Sequence, residues 1–202
     1  MYILPFLDPT EMFKKLLAAE FGPYCALSGV QLDQLESHYS SLNRWNERLN
    51  LTRIVGLTES IQFHYCESLF LARFLPPGSH RIIDVGSGGG FPGIPVAILR
   101  PECEVTLAES HQRKSVFLRE ASRRLPNVRV VAKRAEEVEG TFDWLISRAV
   151  APSAILQLGL SRSFALLIGE ADASQLAGAS EPIPWGNQRV LFHVERNSGS
   201  NQ

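Results

Sequence analysis

Asp84-Val85-Gly86-Ser87-Gly88-Gly89-Gly90-Phe91-Pro92-Gly93 joins two segments of different pattern. Before it, Arg81-Ile82-Ile83-Asp84-Val85 is a short apolar run that reads as a strand. After it, residues 92–99 read as a helix, with Pro92 suited to a first turn. Strand, glycine-rich turn and helix together open a doubly wound α/β unit. Glycines allow φ/ψ values that other residues avoid and let the backbone approach a ligand closely. In such sheets ligands sit at the carboxyl ends of strands, where this turn lies.

The same alternation continues toward the C-terminus. Val105–Ala108 is the next strand and ends at Glu109. Ser110 is placed to cap a helix from His111 to Leu125, with Phe117, Leu118, Ala121 and Leu125 on one side. Val128–Val131 and Phe142–Ile146 read as strands, and Phe164–Ile168 and Val190–Val194 as later ones. Short strands alternating with helices imply a mostly parallel sheet with right-handed crossovers. Upstream, Pro76-Pro77-Gly78 stops helical structure. Before that break the spacing predicts helices over residues 10–20, 28–50 and 58–74, the second between Ser28 as N-cap and Asn50. The expected organisation is an N-terminal helical cap, residues 1–75, on a Rossmann-like domain, residues 76–202. The polar tail Asn197–Gln202 is expected to fray.

Two cofactors compete for the turn. Gly88-x-Gly90-x-x-Gly93 satisfies the dinucleotide pattern, so NAD or FAD is weighed, but a lone match of that kind is weak. A carboxylate at the strand end, Asp84, would repel a pyrophosphate. It suits a cofactor that carries an ammonium and a sulfonium, which is S-adenosylmethionine. Gly86 and Gly88 must then present bare backbone. Glu109 is placed to accept from both ribose hydroxyls, a reading that fits either cofactor. Arg134-Ala135-Glu136-Glu137 follows the third strand, where such a loop passes an adenine; equally, it is a helix start with acids complementing the dipole. Ser147-Arg148-Ala149 follows the fourth. The Arg148 guanidinium would stack on a base or donate to guanine O6 and N7 or to phosphate, aligning donor and target; alternatively it pairs with Asp143 or Glu67.

With 202 residues, 45% of them hydrophobic, the chain can bury one substantial core. No apolar run is long enough to span a membrane, and no secretory leader is read at the N-terminus. Cys25, Cys66 and Cys103 are scattered, and the five histidines are isolated in sequence, so a reduced cytoplasmic protein without a metal site is expected. The net charge of −1 hides one basic segment: residues 111–134 carry eight Lys/Arg against a single acid, Glu120. Arg119 and Arg123 fall on the outer side of its helix, as a phosphate-facing patch or as a solvated face.

The motifs together resemble one family, the bacterial small-subunit ribosomal RNA guanine-N7 methyltransferases (glucose-inhibited division protein B). The likeness runs through Trp45-Asn46-x-x-Leu49-Asn50-Leu51-Thr52, His64-x-x-Glu67-Ser68, the glycine turn to Pro95 and Arg100-Pro101-Glu102. It continues through Lys114-x-x-Phe117-Leu118, Arg134-Ala135-Glu136-Glu137 and Ser147-Arg148-Ala149. The resemblance implies a class I S-adenosylmethionine methyltransferase fold, with Gly86, Phe91, Ala135, Glu136 and Arg148 lining the cofactor pocket. It implies a guanosine of 16S ribosomal RNA, or of the small ribosomal subunit, as substrate; a monomer is expected. The chain departs from the family pattern at Glu67 and Glu109, where aspartate is commoner, and at Ile168, where a lysine is typical. Two other readings stand beside this one: a small-molecule methyltransferase on the same fold, and a non-catalytic RNA-binding or ribosome-assembly protein.

Overall fold

A computed structural model describes residues 8–148, 150–186 and 188–195. Its sheet comprises β1 (Arg81–Val85), β2 (Glu104–Ala108), β3 (Val128–Val131), β4 (Trp144–Arg148), β5 (Ser163–Gly169), β6 (Ala179–Pro182) and β7 (Arg189–Val194). The order is β3-β2-β1-β4-β5-β7-β6. The first five strands run parallel, and β7 is antiparallel to both β5 and β6. Among the described residues four α-helices precede the sheet: α1 (Pro9–Phe21), α2 (Gly29–Leu49), α3 (Leu57–Ser60) and α4 (Glu67–Phe74). A further four, α5 (Gly93–Leu99), α6 (Gln112–Ala121), α7 (Pro152–Leu156) and α8 (Glu170–Ala173), follow strands. The tail expected to fray, Asn197–Gln202, and Ala149 of the Ser147-Arg148-Ala149 motif lie outside the described residues.

One face of the sheet shares a core with the N-terminal helices. Phe13, Leu17 and Phe21 of α1, Leu35 and Leu42 of α2, and Ile82, Leu107, Ile146 and Leu167 of the strands belong to one buried cluster. The other face, with Ile83, Leu145, Leu166 and Phe192, packs a smaller cluster closed by Ile155 of α7 and Ala173 of α8. Ile168 is buried in this second cluster. The aliphatic side chain therefore serves packing and takes no part in a basic surface.

Local chemistry sets the helix ends. Ser28 forms a capping box with Gln31, and Asn50 closes α2 in the left-handed conformation at φ 48°. Asn46 then clamps the exit, with Nδ2 donating to Thr52 O at 3.0 Å and Oδ1 accepting from Thr52 N at 2.8 Å. The helix expected to reach Leu125 stops at Ala121. Ser122 Oγ donates to Leu118 O at 2.7 Å, and Pro126 disfavours a helical Leu125. Ser110 does not cap it; His111 is the N-cap, with no side-chain capping bond, and its own N–H donates to Glu109 Oε1. Strand β4 lies two residues later than its sequence pattern indicates, so Arg148 is its last residue. Asp143 is diverted to the bottom of the sheet, accepting from Arg81 N at 2.7 Å.

Two features carry no sequence signal. The rod of residues 57–74 contains a π-helical turn, Ile61–Cys66, between α3 and α4. Strand β6 is exposed at all four positions and holds Glu181 and Pro182, as a protected sheet edge should. The loop after it returns to the first helix, where Trp185 Nε1 donates to Glu20 Oε1 at 2.8 Å and the indole packs on Phe21, Tyr24 and Phe70.

Candidate active site

Strand order reverses between β2-β1 and β4-β5, so a crevice opens at the carboxyl ends of β1 and β4. Val85 is in register with Ala108 and with Ser147. The next residues along those strands, Gly86, Glu109 and Arg148, are thus brought to one level at the crevice.

The glycine turn is bound down on both sides. Gly86 N donates to Ala108 O at 2.9 Å, and Ser87 Oγ donates to Asp84 O at 3.0 Å. Gly86, Gly88 and Gly90 all have left-handed φ, at 74°, 53° and 87°. A Cβ at Gly86 would also lie 2.8 Å from Val150. Beneath the turn, Asp84 is fully buried; Oδ2 accepts from Gly93 N at 3.0 Å at the start of α5, while Oδ1 has no hydrogen-bond partner among the described residues. Burial pushes its carboxyl up to about 7, against the opposing hydrogen bonds of Ser87 and Gly93. Glu109 is buried and accepts from Gly88 N at 3.0 Å and His111 N at 2.8 Å, one bond to each oxygen. A carboxylate has about four lone-pair directions, so about two remain for further donors.

Arg148 comes from the other side of the crevice. Its guanidinium carbon lies 5.2 Å from the centre of the Phe91 ring, and Nη1 donates to Phe63 O at 2.6 Å. Nη1 is also 3.9 Å from Glu67 Oε2, so the carboxylate partner foreseen at Glu67 is present, whereas Asp143 is engaged elsewhere. Glu67 is fully buried between two cations, with Arg189 Nη2 at 3.3 Å. Burial raises its pKa, and Arg189 and Arg148 oppose the rise. Burial likewise lowers the Arg148 guanidinium, to about 10, which leaves it charged at neutral pH.

Ala135 and Glu136 lie in a short 3-10 turn after β3, Ala135 half-buried and Glu136 exposed. Arg119 and Arg123 are both exposed, but only Arg119 is helical; Arg123 lies in the turn beyond α6, lining a groove with Arg44 and Arg124. Among the described residues no group of three His, Cys, Asp or Glu stands close enough to hold a metal ion, and no helix is long and apolar enough to cross a membrane.

Sequence reasoning missed His38 and named His64 only within the family motif, without a role; the two meet at the glycine turn. His64 stacks on Phe91 at 4.5 Å and 19°, and its Nε2 stands 2.7 Å from Thr52 Oγ1. Burial and Arg148 push its pKa far down, so the ring is neutral. His38 Nε2 is 3.0 Å from Gly89 O. No local pattern announces these contacts, because docking of the N-terminal helices creates them.

The donor set fits S-adenosylmethionine. Asp84 Oδ1 is a buried acceptor without a partner among the described residues, the glycines bare a backbone cradle, and Glu109 keeps capacity for two hydroxyl donors.

The sequence model of the family described as rRNA small subunit methyltransferase G matches residues 31–163. Proteins named ribosomal RNA small subunit methyltransferase G are among its relatives. That of Nitrosococcus oceani is 43% identical over 134 residues, covering 62% of each chain. That of Dichelobacter nodosus is 45% identical over 149 residues, covering 72% of this chain and 69% of the relative. The chain thus spans 62% of the length of the N. oceani protein. Solved structures share the fold at low identity. A SAM-dependent O-methyltransferase from Thermotoga maritima superposes with a TM-score of 0.53 at 15% identity, over 79% of this chain and 73% of its own. The 23S rRNA methyltransferase ErmE gives 0.51 at 15% identity, over 65% and 68%. With a family match across the glycine turn, both strand-end carboxylates and Arg148, the chain belongs to the rRNA small subunit methyltransferase G family.

Proposed function

We propose that this protein transfers a methyl group from S-adenosylmethionine to N7 of a guanosine in 16S ribosomal RNA. The observation that carries the reading is the convergence of three left-handed glycines with Asp84 and Glu109 at the switch point of the sheet. When bound, S-adenosylmethionine supplies an electrophilic methyl group on a sulfonium. Gly86 and Gly88 would hold its methionine part against bare backbone, with the negative charge of Asp84 beneath. Glu109 would take the ribose hydroxyls, and Ala135 and Glu136 would flank the adenine. Phe91, packed between Arg148 and His64, would form an apolar wall that excludes water.

Guanine N7 carries a free lone pair and needs no deprotonation before it attacks. The residues' task is therefore alignment in a dry, charge-matched site. Arg148 is the aligning residue: a planar cation fixed by Phe63 O and Glu67, with donors to spare for the base or its phosphate. Arg119 and Arg123, both exposed, would meet backbone phosphate. The enzyme is taken to act as a monomer in the cytoplasm, on RNA or on the small subunit.

Transfer of labelled methyl to total RNA and to small subunits, with mapping of the labelled nucleotide, tests this. Label at a single guanosine N7 is expected, and Arg148→Ala should lower kcat by roughly 100-fold or more. Cofactor binding without any labelled RNA would point to a small-molecule substrate. Absence of cofactor binding would point to a catalytically retired RNA-binding protein.

A further inference from the structure

A line of buried polar atoms runs from the N-terminal helices to the glycine turn. Gly89 O is a carbonyl and can only accept, so His38 Nε2, 3.0 Å away, carries the proton. The other ring nitrogen, Nδ1, is then an acceptor, and Tyr65 Oη donates to it at 2.9 Å. His38 is 2% exposed and Tyr65 fully buried. Burial holds the imidazole neutral by pushing its pKa down to about 4, consistent with this tautomer.

The same two side chains shape the end of the turn. A Cβ on Gly90, whose φ is +87°, would lie 2.9 Å from His38 Nε2. The His38 ring is 5.0 Å from that of Phe91, and Tyr65 meets Phe91 edge-on at 5.1 Å. The π turn delivers consecutive residues, His64 and Tyr65, to this one ring. Such turns recur at functional sites.

We propose that His38 and Tyr65 are positioning residues that hold the glycine turn in its cofactor-binding shape and so couple docking of the N-terminal helices to cofactor affinity. The inference rests on the S-adenosylmethionine reading of the turn. A hydrocarbon ring in place of His38 would fill the same space but leave the Gly89 carbonyl without its donor in a dry site. The 89–90 peptide would then rotate toward another partner and carry Gly90 and Phe91 with it. The role of the imidazole is thus directional, beyond packing. Because coupling free energies are reciprocal, the cofactor should tighten the helices as much as the helices tighten the cofactor.

Three variants of the full chain decide it: His38→Phe, which removes both bonds, Tyr65→Phe, which removes one hydroxyl, and His38→Gln, whose amide keeps a donor and an acceptor. By titration calorimetry with S-adenosylmethionine, His38→Phe should bind roughly tenfold more weakly and Tyr65→Phe roughly threefold, with His38→Gln within about twofold of wild type. Hydrogen exchange without cofactor gives an independent reading. The Gly90 and Phe91 amides, both bonded to Ser87 O, should lose protection by about tenfold in His38→Phe and regain it in His38→Gln. Wild-type affinity and wild-type amide protection in folded His38→Phe would overturn the proposal. If His38→Phe does not fold, Tyr65→Phe decides on the same two measurements. A wild-type chain that binds no S-adenosylmethionine would defeat both the functional reading and the coupling, whereas wild-type binding with indifferent variants defeats the coupling alone.

Discussion

Glu109 accepts N–H groups from two different loops, so its replacement acts on both the ligand and the fold. Glu109→Gln keeps one oxygen and turns an amide toward a backbone donor. It should weaken S-adenosylmethionine about tenfold or more and also lower stability by about 1–3 kcal/mol. Calorimetry showing unchanged affinity would remove the residue from the ribose site. Asp84 makes a second prediction, through pH. Burial lifts its carboxyl from 3.8 to about 7, so the folded chain holds that proton more tightly than the unfolded one. The stability this group contributes is complete below about pH 3.8 and is lost as pH rises through about 7. Asparagine mimics the protonated side chain and still accepts from Gly93 N. Asp84→Asn should therefore gain on wild type steadily from about pH 4 to about pH 7 and then level off, by on the order of 4 kcal/mol in all, read from denaturation midpoints. His38, with its lowered pKa, slopes the opposite way below 6.5 but does so in both proteins. A margin that stays flat with pH would mean an ordinary carboxyl. Asp84, Glu109 and Arg148 were legible in the sequence because strand ends place them. His38 was not, because its partner stands 51 residues away on another element.

Helix ends and strand junctions account for most of the family motifs. Arg100, 9% exposed, donates from Nη1 to Ala72 O and Leu75 O and from Nη2 to Pro76 O and Gly78 O, while Nε pairs with Glu102. One planar guanidinium thus satisfies the carbonyls at the end of α4 and the turn that leads to β1. A lysine has no fork to do this. Arg100→Lys should cost about 2–3 kcal/mol in urea denaturation and leave cofactor affinity within about twofold. A variant as stable as wild type would show those carbonyls are content with water. Element type was readable wherever periodicity was strong, as in α2 and β1. It was unreadable where tertiary contacts decide, as in the π turn, or where every side chain faces solvent, as in β6. The early end of α6 was overlooked although Pro126 stands in the sequence; the apolar Leu125 made the helical pattern seem to continue.

For the whole molecule, the near-neutral net charge separates two kinds of surface. Seven of the eight basic residues in 111–134 are exposed, while Lys114 is half-buried. Alanine at both Arg119 and Arg123 should raise the KM for RNA several-fold, reduce the salt slope of binding by about one to two and spare kcat. Kinetics at two salt concentrations would show it, and an unchanged slope would leave a merely solvated face. The doubly wound fold was legible from alternating strands and helices, but the closure of the sheet's far end onto the first helix was not. The bond from Trp185 to Glu20 spans 165 residues of chain. On a ribosome adding about 5–20 residues per second, the aromatic surface of Phe21, Tyr24 and Phe70 must then wait on the order of 10 s for its last ring. The nascent N-terminal helices are accordingly a sticky, unfinished surface until Trp185 has been made, and a contact of such long sequence separation is expected to form late.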